Sequence, residues 1–529
     1  MESRFSTQVE EPFNDLKTRK NFILKACIFA TGLSGIVAEY VMSTLASYLL
    51  GNTVLQWTLT VSFMLFAMGL GSRLSQFIPD RYLLDVFVVT EFVLSILAAG
   101  SASLTYLLSA YVQDIWIFIY LIAITIGVLI GFEIPLATRL NDFFEELRIN
   151  ISTVMEKDYY GALLGGLLFA FVALPHLGLT YTPIILGMVN FLVAAALFVQ
   201  FRQHLVRLRM LTIGMVMVPL IIGFVAVAAQ PIVLFGEQRK YMDKIIYREQ
   251  TPYQRIVITQ WKDYYWLYLD GNEQFSTYDE ERYHEPLVHP AMQAAVARQR
   301  VLVLGGGDGL AVREVLKYPE VKEIVLVDID PAITRLAATH PILTAINQNA
   351  LNHPRVTIVN QDAYVYLKES KRLYDVIIID LPDPKSVQLA RLYSVEFYRL
   401  CRRHLSNGGT LVTQATSPFF ARKAFLSILK TIRAAGFTAV PYRNHIPTLG
   451  EWGWVVGINR PGMETAAFKQ YLMNIRFDNI PTRFLNSEAM QRMLLFGKNE
   501  LDGLEEVNIT NQMGLKVYQY YLKGDWDLY

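Results

Sequence analysis

The chain has 529 residues, 53% apolar and 18% charged, and its length alone allows about three domains. That apolar share is high for a soluble protein, and the excess lies ahead of residue 237. A net charge of +1 excludes a general attraction to nucleic acid, and two cysteines in different regions, Cys27 and Cys401, exclude a disulfide framework and a cysteine metal site.

The first 20 residues are polar and mixed in charge, unlike a cleaved signal peptide. A helix crossing a bilayer needs about 20 mostly apolar residues. Seven runs reach that length: 21–49, 54–78, 83–108, 115–136, 160–179, 183–201 and 211–234. Most lack the polar face of a soluble helix. Residues 1–236 therefore read as a multi-span α-helical membrane domain with the lipid bilayer as its partner, in the cell (inner) membrane.

Basic residues cluster at the N-terminus (Lys17, Arg19, Lys20) and in alternate loops: Arg73 and Arg81; Arg139, Arg148 and Lys157; Arg202, Arg207 and Arg209. The positive-inside rule puts that N-terminus in the cytosol, and an odd number of spans then exports the C-terminal half. Yet the flank after the last span (Arg239, Lys240, Lys244, Arg248) is basic too and favours a cytosolic C-terminal half. Glu39, Glu91, Glu133 and Asp158 lie in or beside spans. They read either as a polar path for a small cation or as interfacial and interhelical hydrogen bonding. Gly161, Gly165 and Gly166 have the spacing of close helix packing.

Residues 237–300 change character. Runs at 246–247, 255–259 and 266–270 read as strands, and Asp270-Gly271-Asn272 as a turn, giving a small β-rich subdomain. Then come Asp279-Glu280-Glu281-Arg282-Tyr283-His284-Glu285, an aromatic, an imidazole and acids close enough together to hold an amine.

Residues 301–460 alternate strands with helices, as a doubly wound α/β sheet requires. The run 301–308, VLVLGGGD, is a buried strand that ends in a glycine turn, with a helix starting at Leu310. Gly305 and Gly307 let a ligand lie against the backbone, and free N–H groups come next. Asp328 closes the second strand, placed to take two ribose hydroxyls. Asp362 follows the third strand, where an acid can accept from an adenine amino group, and Asp380 ends the fourth. Each of these acids alone reads equally as a helix cap. Four acids, with Asp308, at carboxyl ends of strands mark a ligand site. Residues 461–529 read as a helical C-terminal appendage carrying no chemistry.

From Tyr253-Gln254 to about Trp454 the chain resembles the spermidine synthase family, the polyamine aminopropyltransferases. The matching pieces include Leu269-Asp270-Gly271 with Gln274, Tyr283-His284-Glu285, His289-Pro290-Ala291, the turn Gly305 to Gly309, Asp328-Ile329-Asp330, Asp362-Ala363, Asp380 with Asp383-Pro384, Leu392-Tyr393-Ser394 and Ile446-Pro447-Thr448. The apolar half resembles the multi-span segment fused to some bacterial members. The resemblance implies a Rossmann-like, methyltransferase-type core and transfer of an aminopropyl group from decarboxylated S-adenosylmethionine to putrescine or a related diamine. It implies no prosthetic group and a homo-oligomer. Gln254, Asp328, Asp362 and Ala363 would hold the nucleoside. His284 and Asp308 would hold the donor's amine, Asp380 would accept the proton, and Asp383 and Tyr283 would line the acceptor site.

The residues carry the same reading. Asp308 in the glycine turn repels the carboxylate of an ordinary methyl donor and attracts the bare ammonium of a decarboxylated one. Two departures put the acceptor in question: Leu381-Pro382 stands where the family has small hydroxyls, and Leu449-Gly450-Glu451-Trp452 stands where it has Tyr-Pro-Ser-Gly. Two other classes fit the fold: an S-adenosylmethionine-dependent methyltransferase, and a non-catalytic polyamine sensor or transporter.

Overall fold

The structure is a computed structural model describing residues 7–526 apart from 52, 113 and 143–145. The side chains of residues 7–20, including the predicted basic cluster Lys17, Arg19 and Lys20, and of Thr53 lie outside the described residues. The chain divides into two compact units, Met1–Met242 and Asp243–Tyr529.

The first unit is helical: α1 (Thr7–Leu50), α2 (Thr53–Leu74), α3 (Leu83–Ser109), α4 (Ile115–Asn141), α5 (Leu147–Leu168), α6 (Gly178–Gln200) and α7 (Leu208–Lys240). Among the described residues six helices are long and apolar enough to cross a membrane, and one of these is the 54-residue run Leu147–Gln200. Straight, that run would measure about 80 Å. It is instead interrupted by a wide-turned segment, Phe169–Leu177, that contains Pro175 and ends at Gly178 with φ +63°. Val154 and Leu197 share a cluster with Leu24 and Ile28, while Phe169 and Leu186 share one with Val37 to Leu45. So α5 runs along α1 and α6 returns.

Glycine lets α1 and α5 touch backbone to backbone. A Cβ on Gly161 would stand 2.0 Å from the Phe29 carbonyl, and one on Gly165 2.5 Å from that of Leu33. Glu91 and Glu133 are buried in the bundle, and Glu39 and Asp158 are half-buried. Much of the outer face is apolar, with Phe66, Phe171, Phe224 and Val227 all exposed.

The second unit opens with an antiparallel sheet in the order β1 (Lys244–Gln250), β2 (Arg255–Trp261), β3 (Tyr264–Leu269), β4 (Asn272–Ser276). Leu269 pairs with Asn272 across a two-residue turn in which Asp270 (φ 50°) and Gly271 (φ 77°) are both left-handed, the geometry that matches strand twist. After α8 (Glu281–Ala294) comes the main sheet. It contains β5 (Arg300–Gly305), β6 (Glu323–Asp328), β7 (Val356–Asn360), β8 (Tyr374–Asp380), β9 (Leu405–Gln414), β10 (Thr438–Ile446) and β11 (Gly450–Ile458), in the order β10-β11-β9-β8-β5-β6-β7.

The strands from β5 to β9 pair in parallel, and β11 and β10 add an antiparallel edge, so the sheet is mixed. Val301 and Val303 feed one core cluster while Leu302 and Leu304 feed the other, which is why β5 reads as an unbroken apolar run. Chain order reverses between β5 and β8, and open α/β sheets bind ligands at such a point, beyond the strands' carboxyl ends. The appendage covers both faces: Phe468 and Met490 enter the first cluster and Val517 the second.

Candidate active site

The turn after β5 is built around its glycines. Gly305 has φ +79°, and a Cβ there would stand 2.1 Å from the Asp380 carbonyl on the neighbouring strand. A Cβ on Gly307 would stand 2.6 Å from Asp328 Oδ2. The turn thus lies against two carboxylate-bearing strand ends at once. Gly305→Ala should cost at least about 2 kcal/mol through left-handed strain and this clash, and a thermal melt beside wild type measures it.

Asp328 is held from both sides. Gly307 N donates to its Oδ2 (3.1 Å) and Asp330 N to its Oδ1 (2.9 Å). Burial pushes its carboxyl up to about 6, with Asp330 and Asp308 adding to the rise against these two hydrogen bonds. Gln254 Nε2 donates to Asp330 Oδ2 (2.9 Å), which also accepts from Thr251 Oγ1 (2.8 Å). Asp330 is the fixed post for Gln254, and the Asp-Ile-Asp spacing is the visible signal for it.

Asp362 serves locally. Its Oδ1 accepts from Tyr364 N (2.9 Å) and Val365 N (3.1 Å), capping the helix Ala363–Glu369, and its Oδ2 meets the Arg391 guanidinium. Ala363 is buried beside it. The cap reading of an acid at a strand end is realised here. Asp308 Oδ1 accepts from Leu310 N (2.8 Å), opening α9 (Leu310–Leu316), and Asn347 Nδ2 ties down the Asp308 carbonyl (2.9 Å).

Asp380 ends β8, and its Oδ1 accepts from the buried Tyr283 hydroxyl on α8 at 2.8 Å. Burial pushes the Asp380 carboxyl up to about 6; His284 and Tyr283 oppose this and Asp308 adds to it. The Tyr283 ring packs 5.0 Å from His284 and 5.6 Å from Trp454. His284 is buried, with Nδ1 against the Glu280 carbonyl (3.0 Å) and Glu280 Oε2 (3.2 Å), so Nδ1 carries a proton. Burial alone would lower this imidazole. The Glu280, Asp308 and Asp380 carboxylates outweigh it and raise it to about 9.

Behind His284 runs a buried charge chain. Glu280 accepts from Arg313 Nη2 (2.8 Å) and pairs with Arg483, Arg313 Nε donates to Glu314 Oε1 (2.9 Å), and Glu314 Oε2 meets His289 (2.9 Å). Glu285 accepts from the backbone N–H groups of Arg483, Phe484 and Leu485. The appendage is therefore bolted to α8 at the site.

Asp383 lies on the loop after β8, with Gln414 Nε2 3.2 Å from its Oδ1 and Thr416 Oγ1 3.4 Å from its Oδ2. The Tyr521 hydroxyl and the Lys385 ammonium lie within electrostatic reach of it. Tyr521 belongs to the appendage, whose sequence carries no sign of chemistry, and nothing local in Tyr-Tyr-Leu announces it. Glu451, the acid added at the hairpin, pairs with Arg443 (3.1 Å) and so is not an unpaired charge for an amine.

The fold thus gathers Asp308, Asp328, Asp380, Tyr283 and His284 around one turn, with Gln254 anchored through Asp330 at one side and Asp383 beyond Asp380. Asp362 sits at the end of the strand next to Asp328.

The chain has relatives among known proteins. Residues 280–469 match the family described as Spermine/spermidine synthase domain. The chain is 43% identical to Polyamine aminopropyltransferase 2 of Aquifex aeolicus, over 94% of this chain and 98% of that one. It is 39% identical to Polyamine aminopropyltransferase 2 of Ralstonia nicotianae, over 96% and 99%. Both alignments take in the apolar half. Among solved structures it is similar to a spermidine synthase from Thermotoga maritima, at 27% identity over 49% of this chain and 87% of that one, with a TM-score of 0.43.

Proposed function

This chain belongs to the polyamine aminopropyltransferase family and is an enzyme whose donor is decarboxylated S-adenosylmethionine, and we propose that its acceptor is putrescine, giving spermidine and methylthioadenosine. The observation that carries the assignment of roles is the Tyr283–Asp380 hydrogen bond (2.8 Å) beside a glycine turn that bears Asp308. An acid in that turn disfavours a donor carboxylate and favours an ammonium.

In this reading Gln254, Asp328, Asp362 and Ala363 hold the nucleoside across Gly305 and Gly307, Asp308 takes the donor's ammonium, and His284, whose Nδ1 donates to Glu280, can join it only by giving up the proton on Nε2 to become an acceptor. The acceptor arrives as an ammonium and is not a nucleophile until it loses a proton. Asp380 takes that proton, and Tyr283 keeps the carboxylate aimed. The amine nitrogen then attacks the aminopropyl carbon next to sulfur. The new C–N bond forms as the C–S bond breaks, the bonding pair stays on sulfur, and methylthioadenosine leaves neutral. Aligning nitrogen, carbon and sulfur supplies much of the acceleration.

Full-length protein given both substrates should release methylthioadenosine and spermidine in equal amounts. Failure to alkylate putrescine or any other amine would sink the assignment. The acid limb follows from Asp380. Below about 6 the carboxyl is protonated and cannot accept a proton, so kcat/KM for the donor falls about tenfold per pH unit there. Tyr283→Phe removes a bond that favours the ionised form, and the midpoint of that limb moves to higher pH.

The apolar unit is proposed to sit in the cell membrane as a multi-pass bundle. Its length, hydropathy and exposed apolar face support this. The basic flank Arg239, Lys240, Lys244 and Arg248 supports a cytosolic catalytic unit. Protease added outside intact cells should leave the catalytic unit uncut.

A further inference from the structure

The helical unit buries polar groups that aminopropyl transfer leaves without a task. Glu91 on α3 is wholly buried, and Glu133 on α4 is 3% exposed. Neither oxygen of Glu91 has a hydrogen-bond partner, nor has Oε1 of Glu133. Asn190 on α6 is 3% exposed as well, and its Oδ1 is equally unmet. The three residues come from three helices and share one layer. Phe92 and Phe191, the neighbours of Glu91 and Asn190, stack across the α3–α6 contact at 6.4 Å. A Cβ on Gly187 would run into the Ser95 carbonyl, and Asn190 and Glu91 each stand one turn from that point, on the side of the stacked rings. Glu133 is one turn beyond Ile130, which lies against Gly35 of α1. The groups acting electrostatically on Glu133 are both acids, Glu91 and Asp158.

The layer is short of donors. Helices α3 and α6 carry no lysine or arginine. Arg139, at the end of α4, is engaged by the Ser75 and Ile78 carbonyls and by Asp80, and Lys157 on α5 bonds to Glu156. The nearby hydroxyls are engaged too: Thr31 donates to the Ile28 carbonyl (2.9 Å), Ser34 to that of Thr31 (3.1 Å) and Ser95 to that of Glu91 (2.6 Å). Asp85, the other buried acid of α3, shows the contrast, since it accepts from Val206 N (3.1 Å) and Arg207 N (2.7 Å). A buried carboxylate left unpaired is costly, so Glu91 and Glu133 must be either protonated or matched by a cation.

We propose that Glu91, Glu133 and Asn190 form a binding site for a protonated aliphatic amine inside the helical unit, separate from the catalytic recess. One proton shared between two glutamates fills one oxygen of each, and it leaves the second Glu91 oxygen and Asn190 Oδ1 unmet. A primary ammonium presents three donors and no acceptor, so it fits one oxygen from each of the three side chains. Among the described residues no three His, Cys, Asp or Glu side chains are grouped to hold a metal ion. Phe92, Ile130 and Phe191 border the layer and suit the methylene chain of an amine. Ionisable groups inside a membrane bundle mark the paths of ions and substrates. The choice of an amine among cations rests on the aminopropyl-transfer reading, since the catalytic unit of the same chain consumes one amine and makes another.

The test is equilibrium dialysis of full-length, detergent-solubilised protein against radiolabelled putrescine or spermidine, with methylthioadenosine release measured in parallel. Wild type should bind one more amine per chain than the double variant Glu91→Gln/Glu133→Gln, while both release methylthioadenosine at the same rate. Asn190→Leu keeps both acids and should weaken the extra site about tenfold, the loss of one hydrogen bond to a charged group. If the double variant does not fold, the Asn190→Leu shift alone decides. Equal binding by wild type and variants overturns the proposal and leaves two glutamates sharing a proton. Loss of the extra site when sodium chloride replaces choline chloride at equal ionic strength would make it an alkali-cation site and overturn the proposal too. A wild type that binds the extra amine but alkylates none would remove the catalytic reading and keep the site, a separately visible outcome.

Discussion

Asp380→Asn should slow turnover by about a thousandfold while leaving the protein at least as stable as wild type above pH 6. The loss follows from chemistry: an amide does not accept a proton from an ammonium, and Asp380 is the carboxylate in direct contact with Tyr283. The stability follows from the sign of the Asp380 shift. Its carboxyl is raised to about 6, chiefly by burial, so the fold prefers the protonated form. A group raised above its unfolded value stabilises fully below that value, near 4 for an aspartate, and the contribution is gone once pH has passed the folded value. At pH 8 wild type carries the charge at a cost and the asparagine variant does not. Asparagine keeps an acceptor for Tyr283, so packing survives. Single-turnover rates and melting temperatures at pH 8 check both halves. Near-normal turnover would move the base elsewhere, and a collapsed fold would make Asp380 a structural residue.

Most of this arrangement was legible in the sequence because it is local. Runs such as Val301 to Leu304 and Tyr374 to Ile379 are too apolar to be anything but buried, and the acids that end them fall at strand ends by arithmetic. The glycine turn was legible because no other residue fits φ +79° at Gly305 against a neighbouring carbonyl. The antiparallel edge β11–β10 was less so, since pairing direction leaves no mark on a strand's own composition. What the sequence hid is what comes from far away. Tyr521 comes within electrostatic reach of Asp383 across more than a hundred residues, and Arg483 pairs with Glu280 across about two hundred. Nothing in either neighbourhood signals a partner. Asp362 shows the opposite limit: its position suggested a nucleoside contact, yet the same carboxylate caps a helix and meets Arg391. An acid at a strand end serves its own helix first, and only geometry separates the two uses.

Glu280→Gln should have the second large effect, a loss of about 3 kcal/mol in the catalytic unit together with loss of the cationic His284. Glu280 is buried, and it holds His284, Arg313 and Arg483 at once. A neutral amide leaves two buried cations short of a partner. Arg313 keeps Glu314, but His284 has only the Glu280 carbonyl left at Nδ1. Burial then governs and the imidazole falls back toward neutrality.

The pH dependence of stability makes the test specific. His284, raised to about 9, stabilises fully below its unfolded value near 6.5 and loses that contribution as pH rises through 9. Glu280, lowered to about 2, stabilises fully above its unfolded value near 4.5 and loses that contribution as pH falls toward 2. Wild type should therefore weaken between pH 6.5 and 9, and Glu280→Gln should not. The imidazole resonance of His284 should titrate near 9 in wild type and below 7 in the variant. A variant that still weakens over that window would place the charge on His284 under the control of Asp308 and Asp380, and the donor's amine end would then bind where the imidazolium already neutralises them.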